Sequence, residues 1–73
     1  MAQSKVSCDV CARNHPEREL EPLNLYVDGK TQAGPWANMC SVCFSYFGVG
    51  VGTGLGQIYR WNEREGKYVK IGG

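Results

Sequence analysis

Four cysteines form the one constellation in this chain with a definite chemistry. They fall as Cys8-Asp9-Val10-Cys11 and Cys40-Ser41-Val42-Cys43, two C-x2-C pairs with 28 residues between them. A C-x2-C turn sets both sulfurs on one side of the backbone, and two such turns face to face make a tetrahedral S4 cage. That donor set suits zinc or a single iron. Cys8, Cys11, Cys40 and Cys43 are therefore the expected metal ligands, with one zinc ion as the expected occupant. The gap between pairs exceeds the common ribbon spacing, so a hairpin is expected inside the loop that the metal closes. His15 offers an alternative ligand as C-x2-C-x3-H. It precedes Pro16 in a polar loop, however, and the cysteines already supply four donors.

A cage filled by four thiolates leaves no open position for water or substrate, which argues against metal-assisted hydrolysis. The remaining residues hold one histidine, scattered carboxylates and no Ser/His/Asp grouping, so no catalytic residue is expected and the chain does not read as an enzyme. The spacing also resembles rubredoxin, a one-iron electron carrier. Its metal turns place glycine directly after the second cysteine of each pair, where backbone N–H groups reach the sulfurs and tune the iron. Here those positions hold Ala12 and Phe44, and no proline follows Cys40. Zinc is the better fit.

Seventy-three residues make one small domain, which buries too little apolar surface to be comfortable without a staple. Residues 1–10 lack the apolar core of a secretory signal, which favours metal over disulfides. A thioredoxin-like redox pair would need a βαβ frame that this length does not supply. The net charge of +1 exerts no global pull toward nucleic acid or membrane, but the charges are unevenly placed. Residues 1–30 carry four basic and five acidic side chains, residues 31–59 none of either, and residues 60–73 four basic and two acidic. The charge-free run is no membrane span, because Gly34, Pro35, the two cysteines and five alternating glycines interrupt it. It reads instead as interior or contact face of a soluble protein.

The elements that must position the cysteines can be sketched. Residues 1–7 read as a mobile lead, and residues 8–73 as a single zinc-finger domain. Leu23-Asn24-Leu25-Tyr26-Val27 alternates and ends in Asp28-Gly29, the best short hairpin signal here. A two-residue turn there sets Val27 opposite Lys30 and Leu25 opposite Gln32, with Leu23, Leu25 and Val27 on a core face. Trp36, four residues before a ligand, is expected to shield the metal turn. Residues 43–47 can make one or two helical turns before Gly48 stops them. From Gly48 to Gly56 every second residue is glycine, which in an extended chain leaves one face bare; a tight internal crossing is the expected use. The run does not fit G-x-G-x-x-G, and no P-loop follows.

Residues 57–61 and 67–71 read as a second hairpin closed by residues 62–65 and Gly66. A four-residue loop pairs Tyr59 with Tyr68 and Ile58 with Val69, with Ile58 and Val69 inward. Tyr59, Trp61 and Tyr68, beside Lys70 and Gln57, then form an exposed aromatic and basic face. The expected binding set is Tyr59, Arg60, Trp61, Arg64, Tyr68 and Lys70, although Arg60 falls on the opposite face and Glu63 and Glu65 dilute the charge. Such a surface suits a protein partner or stacked bases. The expected fold is a small metal-stabilised β-rich domain, treble-clef or zinc-ribbon-like, with two β-hairpins and at most one short helix.

The segment Gly34-Pro35-Trp36-Ala37-Asn38-Met39-Cys40, the Cys40/Cys43 pair, and the glycine run through Gln57 and Tyr59 resemble a group of small phage-encoded zinc-finger proteins. Those proteins carry a G-P-W-A-x-M-C segment, a G-x-G-T-G-x-G-Q-x-Y segment and a terminal aromatic hairpin. The resemblance covers the latter half of the chain, with the first cysteine pair in the expected place. It implies the metal site and suggests a setting in a bacterial host; separately, a monomer in the host cytoplasm with no membrane association is expected. Its expected partner is a host protein of transcription or DNA metabolism, with nucleic acid as the alternative.

Overall fold

The computed structural model describes residues 3–73. Six elements follow in order: α1 (Asp9–Asn14), β1 (Leu25–Lys30), β2 (Trp36–Met39), α2 (Ser41–Phe47), β3 (Gly56–Asn62) and β4 (Lys67–Gly72). The strands form one antiparallel sheet in the order β2-β1-β3-β4. This is the expected small β-rich domain. The first cysteine pair also turns helical, so the described residues hold two short helices where at most one is expected, each opening on a C-x2-C turn. No helix among the described residues is long and apolar enough to cross a membrane.

The first hairpin turns later than the Asp28-Gly29 signal implies. β1 runs through both residues, and the turn is made by residues 31–35, where the Thr31 hydroxyl donates to the Pro35 carbonyl at 2.8 Å. Lys30 therefore pairs with Trp36, and Val27 with Met39. Gly29 has a different use. It lies opposite Gly56 across β1 and β3, where a Cβ on Gly29 would sit 3.0 Å from the Leu55 carbonyl oxygen. A Cβ on Gly56 would sit 2.8 Å from the Gly50 carbonyl oxygen. The pair is a seam of close backbone approach rather than a turn.

Residues directly opposite one another in an antiparallel sheet share a face. Met39, Val27 and Ile58 make one such row, and Leu25, Arg60 and Val69 the next. The core forms on the first row. Met39 is fully buried with Cys8 and Cys43, and Val10, Leu23, Ala37 and Phe44 pack around them. Val27 is buried as expected and Leu23 packs on this core, but Leu25 is 45 % exposed. The helices contact β1 and β2, and Leu25 lies in the row beyond them.

The glycine run is not an extended strand. Gly50, Gly52 and Gly54 take positive φ, and Gly52 bridges Gly56 to close a curl. That curl is tied to the end of β1, because the Lys30 N–H donates to the Leu55 carbonyl and the Val49 N–H to the Lys30 carbonyl. Gly48 does end α2, but in an extended conformation rather than a left-handed one. Glycine is needed there because a Cβ would run into the Phe44 ring. The expected tight crossing is thus found at Gly48 and Gly56, in a curled chain.

The second hairpin forms with its register displaced by two residues. Trp61 pairs with Tyr68, Arg60 with Val69 and Tyr59 with Lys70, and Ile71 is passed over in a bulge. Gly66 closes the turn with φ +63. The displaced register keeps the expected sharing of faces, since a shift of two preserves side-chain parity.

Candidate metal centre

The two cysteine pairs arrive at the same place by the same local device. Cys8 caps α1, its Sγ accepting the Cys11 N–H at 3.4 Å, and Cys40 caps α2, its Sγ accepting the Cys43 N–H at 3.5 Å. Each turn thereby sets both of its sulfurs on one side, with backbone N–H groups directed at the first. A third bond joins the turns: the Cys40 N–H donates to Cys8 Sγ at 3.3 Å. Asp9 fixes their relation from outside, its carboxylate accepting the Asn38 N–H of β2 at 2.9 Å. The sequence reading missed that contact. Its only local sign is an acidic residue in the first turn of a helix.

The four Sγ atoms lie within 4.8 Å of one another. Cys11 Sγ is 3.9 Å from Cys40 Sγ and 3.5 Å from Cys43 Sγ. With zinc–sulfur bonds of about 2.3 Å, a tetrahedral S4 site has sulfur–sulfur edges of about 3.8 Å. The four cysteines can therefore hold a metal ion, and none of them is joined in a disulfide. His15 is the exposed C-cap of α1 and is not part of the sulfur cluster.

The electrostatics fit a cation site. Burial disfavours ionisation of Cys8, but the N–H groups of Cys40 and Cys11, joined by the thiols of Cys11 and Cys43, outweigh it and bring the Cys8 thiol from 9.0 to about 7. Burial and the hydrogen bonds of the neighbouring sulfurs push Cys43 up. One thiolate is thus stabilised by the backbone while its neighbour resists ionising beside it. A divalent cation reverses that resistance by supplying the missing positive charge.

Trp36 does not shield the sulfurs. It is one of the exposed residues and lies opposite Lys30, on the face away from Met39 and Ala37. Parity decides this, since Trp36 is three residues from Met39 in a regular strand. It lines a small surface pocket with Asp9, Arg13 and Pro35 instead.

The expected aromatic binding face is also differently disposed. Tyr59, Trp61 and Tyr68 do share a face, but they are half-buried in a cluster with Tyr26. Tyr26 stacks on Tyr59 at 5.3 Å and meets Tyr68 edge-on at 4.7 Å; Trp61 meets Tyr68 edge-on at 4.9 Å. The Tyr68 hydroxyl donates to the Leu23 carbonyl and accepts the Val6 N–H. Lys5 Nζ stands 5.1 Å from the Trp61 ring centre, and Gln3 Oε1 accepts the Tyr68 N–H. Residues 3–6, read from the sequence as part of a mobile lead, thus lie against this cluster; Met1 and Ala2 fall outside the described residues. Trp61 Nε1 is buried with no hydrogen-bond partner. Val69, expected to point inward, is 37 % exposed on the opposite face beside Arg60. Arg64 and Lys70 are exposed, one in the hairpin loop and one on β4. The set Tyr59, Arg60, Trp61, Arg64, Tyr68 and Lys70 is therefore split between two faces and a loop. No protein family, curated protein or solved structure matches this chain.

Proposed function

We propose that the protein is a non-catalytic interaction module whose fold is held by one zinc ion at Cys8, Cys11, Cys40 and Cys43. The observation that carries this reading is the closed arrangement of four sulfurs within 4.8 Å, which satisfies a tetrahedral ion and leaves no position for a substrate. The second metal turn leads directly into α2 and a hairpin lies between the pairs, which favours a treble-clef-like plan over a ribbon. Zinc would contribute folding energy rather than chemistry. An iron-loaded carrier is the competing metal reading, and colour separates them: a colourless preparation with one zinc per chain supports the module.

The proposed partner is a protein. The resemblance over residues 34–40 and the glycine run sets the context, a phage protein acting as a monomer on host transcription or DNA-metabolism machinery in the bacterial cytoplasm. The near-neutral charge favours a protein over nucleic acid. The nucleic-acid reading draws on exposed Arg60, Arg64 and Lys70. A pull-down of the tagged chain from bacterial lysate, with and without nuclease, tests between them. A discrete protein retained after nuclease supports the module. Recovery lost with nuclease, with affinity falling steeply in salt, overturns it in favour of nucleic acid.

A further inference from the structure

The β3–β4 half of the sheet carries apolar side chains on both faces, and only one face is covered. On one side, Tyr26, Tyr59, Trp61 and Tyr68 pack together beneath residues 3–6. On the other, the row Leu25–Arg60–Val69 and the bulged Ile71 stand open, with Ile71 55 % exposed. Strands with apolar residues on both faces belong to sheets buried on both sides. Two adjoining surface hollows, of about 480 and 310 Å³, open at Leu25, Arg60, Val69 and Ile71 and reach the strand edge, where Trp61 lines both and Glu63 the larger.

Charge specifies the occupant. The two hairpin carboxylates face other cations, Glu63 facing Lys5 at 3.5 Å and Glu65 facing Lys67 at 4.0 Å, both in surface pairs. Among the described residues Arg60 has no carboxylate within ion-pair distance, and it stands between Leu25 and Val69 in the apolar row. A guanidinium fork flanked by aliphatic side chains matches a carboxylate flanked by aliphatic side chains. The other apolar surface, around Tyr46 and the glycine loop, lies within the charge-free run and offers no such cue.

We propose that the open face of β3–β4 is the docking surface, and that it takes a protein segment presenting an Asp or Glu between aliphatic residues, with Arg60 as its anchor. This rests on the interaction-module reading above and adds to it the surface and the partner's chemistry.

The test is selection of a displayed random dodecapeptide library on the zinc-loaded full chain, followed by titration of enriched peptides into isotope-labelled protein. Enriched sequences should carry a carboxylate between aliphatic residues and should shift the amides of Leu25, Arg60, Val69 and Ile71. They should bind Arg60→Glu at least about tenfold more weakly, a loss typical of an arginine anchor. Should Arg60→Glu fail to fold with zinc, Arg60→Gln keeps the aliphatic stem and makes the same test. Failure to enrich, enriched peptides without carboxylates, or equal binding to the variant overturns the proposal. So does a wild-type dimer in ultracentrifugation that Arg60→Glu dissolves, because the occupant is then a second copy. Peptides that map to another surface overturn the docking face and leave the module reading standing. Binding of a twelve-residue oligothymidylate at this face, with no peptide enriched, overturns both.

Discussion

Met39 and Tyr68 mark two halves of one sheet that are held by different physics. Around Met39 the apolar material is sparse, and what gathers it is a cage of sulfurs reached by two helix-capping turns. Around Tyr68 no sulfur is near, and four aromatic rings, two hydrogen bonds from one hydroxyl and a terminal segment do the holding. The four sulfurs could hold a cation, and the sulfur half would then depend on something the chain does not itself supply. The aromatic half depends only on covalently attached parts.

Removing a sulfur from the cage should have the largest effect. Cys43→Ser takes a buried sulfur from the cage, and structural zinc sites contribute apparent folding energies of about 10 kcal/mol or more. The variant is expected to lose metal and native structure together, read by metal analysis and NMR dispersion. An equivalent loss from disturbing the aromatic half would remove the distinction.

The seam between the halves comes next. Gly56→Ala forces a Cβ to within 2.8 Å of the Gly50 carbonyl oxygen, against backbone that cannot simply rotate away. Overpacking of this kind costs about 1–3 kcal/mol. Denaturation at fixed zinc should show that loss with the metal stoichiometry unchanged.

Tyr68→Phe strikes the aromatic half alone. It strips one donor and one acceptor at once, leaving the Val6 N–H and the Leu23 carbonyl without their partner. A loss of about 1–2 kcal/mol is expected, with faster hydrogen exchange at Val6 and unaltered zinc affinity. Lys5→Ala should have the smallest effect. Its contacts to Trp61 and Glu63 lie near the surface, where cation–π and ion pairs contribute under about 1 kcal/mol each. Equilibrium unfolding of the two variants side by side would rank them.

The sulfur half was legible in the sequence because its signal is local. Two C-x2-C turns carry their geometry within four residues each, and the helix after Cys40 follows from the run to Gly48. What misled was anything whose use lies far along the chain. Asp28-Gly29 has the composition of a hairpin turn, but Gly29 serves a close approach to Gly56, 27 positions later. Trp36 follows the parity of β2 rather than its nearness in sequence to Cys40. Alternation in the second hairpin showed that Tyr59, Trp61 and Tyr68 share a face. It held no information on which face is covered, because the covering residues 3–6 have no pattern of their own and sit more than 60 positions from Tyr68.

If a metal ion in the sulfur cage holds this fold, stepwise zinc removal followed by NMR will expose that dependence. One zinc per chain is expected, with collapse of amide dispersion in both halves as the chelator takes it, reversed on adding zinc back. A fully dispersed spectrum at zero metal would contradict it, and would make the aromatic half sufficient to hold the sheet.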